Sequence, residues 1–200
     1  MAPLLESEAP KDPFVLFNRW FRDASEAGAL QPDAVTLATA TRSGAPSARM
    51  VLFKAVEAGA FVFYSNHGSR KGRELVQNNR AAMVFFWSIK RHQVRVSGTV
   101  RRLSREASAD YFHSRPHGAQ LSALASRQSR VVASRDVLEK AVLALARRYP
   151  DEVPLPRDWG GYALTPRWIE FWENREDRLH DRLRYVRQQR GAWRIERLSP

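Results

Sequence analysis

Four short stretches of this sequence place cationic and hydroxyl-bearing side chains where they could hold an anion. The first is Arg49-Met50-Val51-Leu52-Phe53-Lys54, an apolar run with a cation at each end. In a strand, side chains alternate, so Arg49 and Lys54 point to opposite faces unless a bulge intervenes; a lysine there would equally mark the edge of a core. The second is Tyr64-Ser65-Asn66, followed by Ser69-Arg70-Lys71. A helix starting at Ser69 would offer free amides and a positive dipole end. Two cations in that first turn oppose the dipole, so they read as partners of a bound phosphate or as exposed surface charge. The third, Tyr111 to Pro116, sets a tyrosine hydroxyl and the Arg115 guanidinium four residues apart, within joint reach of phosphate oxygens. Tyr111 could instead be a core aromatic with its hydroxyl at the surface. The fourth is Arg178-Leu179-His180-Asp181-Arg182. If extended, it puts Arg178, His180 and Arg182 on one face, where like charges repel without a ligand and the histidine could exchange a proton near neutral pH. Its alternative is a solvated turn paired to Glu176 and Asp177.

Other chemistries lack their residues. There are no cysteines, which removes disulfides and thiolate ligands or nucleophiles and suits a reducing compartment. The five histidines show no zinc spacing, and neither glycine-rich phosphate loops nor a GxSxG elbow occurs. The net charge of +12 comes from arginine, since only Lys11, Lys54, Lys71, Lys90 and Lys140 are lysines. Guanidinium forks suit phosphate and carboxylate. The arginines are spread along the chain rather than gathered on one helix, which argues against nucleic acid as partner. Met1 to Pro13 lacks the basic and apolar regions of a secretory signal, and no apolar run approaches the eighteen residues of a membrane span. No membrane partner is expected, and the cytoplasm is the default compartment.

The elements that must position these groups follow from period and punctuation. Asp12-Pro13 starts a helix whose Phe14, Phe17, Trp20, Phe21 and Ala24 share a face, and Gly28 ends it. Strands are expected at Val35–Thr41, Ala48–Val56 and Ala60–Ser65, then a short helix from Ser69 to about Asn78. A strand at Ala82–Ile89 reads as buried on both faces, and Gln93–Leu103 as half-buried. Helices are expected at Ser104–Ser114 and Arg135–Tyr149, with Arg115–Ser134 irregular or partly helical between them. The final meander reads as Tyr162–Leu164, Trp168–Trp172, Leu183–Arg187 and Trp193–Leu198. These short strands and tight turns predict a mainly β, α+β chain: a closed antiparallel barrel with peripheral helices. A sandwich is the structural alternative. Residues 1–11 read as a tail, either flexible or folded over the site, and 12–200 as one domain.

In order along the chain, RMVLFK (49–54), FVFYSN and SRKGREL (61–75), QVRVSG (93–98), YFHSRP (111–116), RQS (127–129), VPLPRDWGGY (153–162), IEFW with RLHDR (169–182) and the terminal RLSP resemble the pyridoxine/pyridoxamine 5'-phosphate oxidase family over nearly the whole chain. The resemblance implies an antiparallel FMN-binding split barrel. It implies a homodimer with FMN at the subunit interface, O2 as electron acceptor, and a phosphorylated pyridine substrate oxidised to pyridoxal 5'-phosphate. It assigns FMN to Arg49, Met50, Val51, Leu52, Lys54, Tyr64, Ser65, Arg70, Lys71, Gln93, Gln128, Ser129, Trp172 and Arg182. Lys54, Tyr111 and Arg115 would grip the substrate phosphate, and Arg178 and His180 would lie against its ring as catalytic residues. The family carries serine where this chain has Ala119, and Gly-Ala-Trp where it has Ser122-Ala123-Leu124. Loss of one neutral hydroxyl costs about 0.5–1.5 kcal/mol of binding. The alternatives are a split-barrel flavin oxidase of the phenazine type with a larger substrate, or a non-catalytic flavin or pyridoxal phosphate binder.

Overall fold

The structure, a computed structural model, describes residues 3–200; Met1 and Ala2 of the expected tail lie outside the described residues. Helix α1 (Pro13–Glu26) starts where Asp12 Oδ1 accepts from the Phe14 amide at 2.9 Å, and Pro13 follows as a first residue needing no amide partner. It stops two residues before Gly28, whose φ of +82° few other residues tolerate. Its buried stripe of Leu16, Phe17, Trp20 and Ala24 joins the main core. Phe17 anchors that core, with ring centroids 5.3 Å from Phe53, 4.9 Å from Phe61 and 5.0 Å from Phe85, all edge-on.

The strands are β1 (Ala34–Ala40), β2 (Pro46–Glu57), β3 (Ala60–Asn66), β4 (Arg80–Trp87), β5 (His92–Arg102), β6 (Trp159–Glu173), β7 (Asp181–Arg187) and β8 (Trp193–Arg197). They pair antiparallel in the order β3-β2-β1-β4-β5-β6-β7-β8, and β3 also pairs with β6. That last pairing closes the first six strands into a barrel and excludes the sandwich. Strands β7 and β8 extend the sheet outward from the second half of β6. Helix α2 (Arg70–Gln77) follows β3, capped by Ser69 as expected. Between β5 and β6 come α3 (Arg105–Ser114), α4 (His117–Ala125) and α5 (Arg135–Arg148). The antiparallel split barrel with peripheral helices is therefore what the chain forms. No helix among the described residues is long and apolar enough to cross a membrane.

Three expectations need correction. Strand β4 ends at Trp87 and alternates rather than burying both faces: Phe86 is 61% exposed, and Ile89 lies in a 3-10 turn, Ser88–Lys90. The segments 162–164 and 168–172 are one strand. Pro166 has no amide for a ladder, but it sits opposite Gly98 beside a bulge in β6 itself, where Arg167 is the extra residue, the pairing shifts and the missing bond is absorbed. A side chain on Gly98 would collide with the Thr165 carbonyl. Finally, residues 178–182 are not one extended row. Glu176–Arg178 is a 3-10 turn, Asp177 and Arg178 have φ of +56° and +60°, and the strand begins only at Asp181.

Candidate active site

Strand β2 carries an extra residue, Lys54, between Phe53 and Ala55 in its pairing with β3. Met50, Leu52 and Lys54 line one wall of a cavity of about 600 Å³. Arg49 points to the other side, as alternation requires, and bonds Thr39, Ser47 and the Leu37 carbonyl. The end of β3 adds Tyr64 and Ser65 to the cavity, α2 adds Lys71, the end of α3 adds Tyr111 and Arg115, and the loop after α4 adds Gln128. Ten predicted site residues thus share one cavity: Met50, Val51, Leu52, Lys54, Tyr64, Ser65, Lys71, Tyr111, Arg115 and Gln128.

Lys71 is 6% exposed, and its Nζ donates to Ser65 Oγ at 2.9 Å and Gln128 Oε1 at 3.0 Å. Among the described residues no carboxylate lies within 4.0 Å of it. Burial pushes its ammonium down to about 8, helped by the Arg49 charge and opposed by Glu74. A buried cation facing only neutral oxygens is incomplete without an anion. Arg115 repeats the pattern: its Nη1 is buried with no hydrogen-bond partner, and burial lowers its ordinary value. Its guanidinium stands 5.0 Å from the Trp159 ring. Tyr111 stacks on Tyr64 at 3.9 Å, and Tyr64 on Trp159 at 5.5 Å, so a flat aromatic wall runs beside these cations. Lys54 is held at the mouth by Asp33, Nζ to Oδ2 3.1 Å.

Arg49 and Arg70 converge on Glu74 instead, at 3.2 and 2.9 Å. The Glu74 carboxyl sits at about 2: burial would raise it, but hydrogen bonds from Ser47, Thr39, Arg70 and Arg49 prevail. Ser129 lies in a neighbouring cavity that shares Gln128 and Asn66 with the first.

The remaining predicted residues form a second group elsewhere on the sheet. Gln93, Trp172 and Arg182 stand side by side across β5, β6 and β7, with Phe86 opposite Gln93. Arg182 is bound to the buried Glu170 at 3.0 and 2.8 Å. His180 lies 4.7 Å from Trp172, ring to ring, and its Nδ1 accepts the Arg175 amide at 3.1 Å. That bond places the proton of a neutral imidazole on Nε2. None of Gln93, Trp172, Arg178, His180 and Arg182 lines the cavity that holds Lys71.

Sequence reasoning missed Glu74, Asp33 and Trp159. The i, i+4 spacing of Arg70 and Glu74 was a usable signal. Asp33 and Trp159 meet their partners only through tertiary folding.

Comparison with known proteins is consistent along the chain. A family model described as pyridoxamine 5'-phosphate oxidase matches residues 21–148, and one described as the pyridoxine 5'-phosphate oxidase C-terminal dimerisation region matches 159–200. A pyridoxine/pyridoxamine 5'-phosphate oxidase from Microcystis aeruginosa is 48% identical over 98% of this chain and 92% of its own length. One from Rubrobacter xylanophilus is 50% identical over 100% and 92%. Among solved structures, PhzG from Burkholderia lata in complex with tetrahydrophenazine-1-carboxylic acid superposes with a TM-score of 0.92, at 31% identity over 97% of this chain and 95% of that one. A related FMN-binding protein of Nostoc punctiforme, 17% identical with a TM-score of 0.78, shares the fold.

Proposed function

This chain belongs to the pyridoxine/pyridoxamine 5'-phosphate oxidase family, and from that premise we propose that its two separated groups of residues meet as one active site across a homodimer. The protein oxidises pyridoxamine 5'-phosphate or pyridoxine 5'-phosphate to pyridoxal 5'-phosphate with FMN as cofactor. The observation that carries the assignment of the site is Lys71, a buried ammonium beside a flat aromatic wall with no anion of its own. Those residues fit a flavin phosphate and ring. When bound, FMN takes two electrons from the substrate and passes them to O2, giving hydrogen peroxide.

Lys71 would hold the cofactor phosphate, with Arg49, Arg70, Ser129 and Arg182 supplying further donors. Met50, Val51 and Leu52 would lie along the cofactor, flanked by Tyr64, Ser65, Gln93, Gln128 and Trp172. Lys54, Tyr111 and Arg115 would grip the substrate phosphate, the unpartnered Arg115 Nη1 being a donor already facing an apolar wall. Each charge-assisted bond contributes about 1.5–3 kcal/mol, and two anchored phosphates fix the reacting carbon's position. Arg178 and His180 would close over the substrate ring, His180 presenting Nε2–H because Nδ1 is already engaged.

The partner subunit would bring Gln93, Trp172, Arg178, His180 and Arg182 to the cavity. Met50, Leu52 and Phe86, 60%, 39% and 61% exposed in the single chain, form apolar surface of the kind an isologous interface covers. Residues 12–200 would act as one domain, and the absence of cysteine suits the cytoplasm. A second reading, oxidation of a larger tricyclic ring, draws on Ala119 in the cavity wall. The decisive experiment is spectroscopic. Purified protein should be yellow, release FMN on denaturation, and bleach anaerobically with pyridoxamine 5'-phosphate. Inability of the folded chain to take up FMN in excess refutes the site. Uptake without bleaching hands it to the larger ring.

A further inference from the structure

Residues 3–10 run against the side of the sheet that carries Asp181. The Leu4 amide donates to Asp181 Oδ2 at 3.2 Å, and the Tyr185 hydroxyl donates to the Pro10 carbonyl at 2.9 Å. Arg197 in β8 links the two layers. Its Nη1 reaches Asp181 Oδ1 at 2.8 Å, its Nε and Nη2 embrace the Glu6 carboxylate at 2.7 and 2.8 Å, and its Nη2 also donates to the Leu4 carbonyl. Arg197 holds the Glu6 carboxyl at about 2. The Asp181 carboxyl lies below its usual value because hydrogen bonds from Arg175 and Arg197 outweigh its burial.

Asp181 sits between His180 and Arg182, and its carboxylate is buried on the strand face away from Arg182. From there it holds Arg175 Nε at 2.7 Å, while Arg175 Nη2 holds Glu173 at 3.0 Å. The Arg175 amide in turn donates to His180 Nδ1. A chain of contacts therefore runs from Glu6 through Arg197, Asp181 and Arg175 to the imidazole. The loop it braces is strained. Two successive non-glycine residues, Asp177 and Arg178, stay left-handed, a backbone conformation that persists only where surrounding contacts over-determine it.

We infer that the 3–10 segment is a strap and Glu6 a positioning residue: clamped to Arg197, the segment keeps Asp181 and Arg175 in place and so sets the loop that presents Arg178 and His180. This rests on the reading above that those two residues meet the substrate. On that reading, the strap of one protomer tunes the site to which its loop contributes, far from its own Lys71.

The test compares full-length Glu6→Lys with Glu8→Lys, an identical charge change two residues away at an exposed position that makes no ion pair among the described residues. Glu6→Lys should expose the amides of residues 174–182 to hydrogen exchange about tenfold faster in the flavin-free protein, leaving β1–β5 unchanged. In the flavin-loaded dimer it should lower kcat/KM for pyridoxamine 5'-phosphate about tenfold at unchanged flavin content and melting temperature. Glu6→Gln, which keeps part of the clamp, should fall between, and Glu8→Lys should match the wild type. Unchanged exchange at 174–182 overturns the inference, as does a kinetic loss that merely tracks lost flavin or early melting. Exchange needs no turnover. A full chain that never oxidises the amine therefore sinks the reading of the site, while the strap is still decided by its own measurement.

Discussion

Replacing Lys71 with methionine separates what the lysine costs the fold from what it gives the site. Burial moves its ammonium from 10.5 to about 8, a change equivalent to about 3 kcal/mol against the charged form at about 1.4 kcal/mol per tenfold. Two terms reduce that figure. The 6% of the residue still exposed lets water reach it, and methionine abandons its bonds to Ser65 and Gln128, about 1 kcal/mol in net terms. Ser65 and Gln128 already lie 3.1 Å apart and keep each other. Flavin-free Lys71→Met should therefore be more stable than the wild type at pH 7, by about 1–2 kcal/mol. The sign with pH follows from proton counts. Between about 8 and 10.5 the unfolded wild-type chain keeps a proton that the folded chain has released, so wild-type stability rises with pH and the mutant's advantage fades. FMN binding should move the other way, weakening about 10- to 100-fold through loss of a charge-assisted bond. Urea unfolding of flavin-free protein at pH 7 and pH 10, with FMN titrated by fluorescence quenching, measures both. A mutant that is less stable than the wild type at pH 7, or that binds FMN as tightly, refutes the argument that Lys71 is an unmatched cation awaiting a phosphate.

The same group predicts that FMN affinity of the wild type is flat below pH 8 and falls above it, by up to about tenfold per pH unit, because the free site then lacks its proton; titration from pH 6.5 to 9.5 checks this. Arg115→Ala should raise KM for pyridoxamine 5'-phosphate about 10- to 100-fold with FMN content intact, read from steady-state kinetics beside flavin absorbance. Phe17→Ala should cost the barrel about 3–5 kcal/mol in denaturant unfolding, since the ring packs against Phe53, Phe61 and Phe85.

Periodicity and capping made most of the barrel legible. Asp12, Ser69 and Ser104 each cap the helix that the sequence places after them, and β1, β2, β3 and β5 begin and end within two residues of expectation. What failed was local reading where a distant partner decides. Pro166 looks like a strand break until Gly98 is set opposite it, with the bulge at Arg167 beside it. The turn at Asp177 and Arg178 carries no glycine to announce its left-handed backbone. The grouping of the candidate site was half legible, because ten predicted residues share a cavity while Gln93, Trp172, Arg178, His180 and Arg182 stand elsewhere. No single-chain periodicity encodes which residues a second copy would bring to a pocket.

The register of β6 and β7 sets which side chains share a face. Trp172 pairs with Arg182 and Glu173 with Asp181. Because side chains alternate, Trp172 and Arg182 share one face of the sheet, and Glu173 and Asp181 share the other, where Arg175 and Arg197 bind them. A slip of one residue in β7 would exchange the faces: Arg182 would be driven toward the buried side of Leu183 and Tyr185, and Asp181 would leave Arg197 unmatched. Asp181, whose buried ion pairs help to fix this register, and Arg182, which the proposed site would use, are therefore neighbours on opposite faces of β7. A substitution at Asp181 should damage fold and site together, whereas Glu6, at the far end of the clamp, can be changed with the barrel left standing.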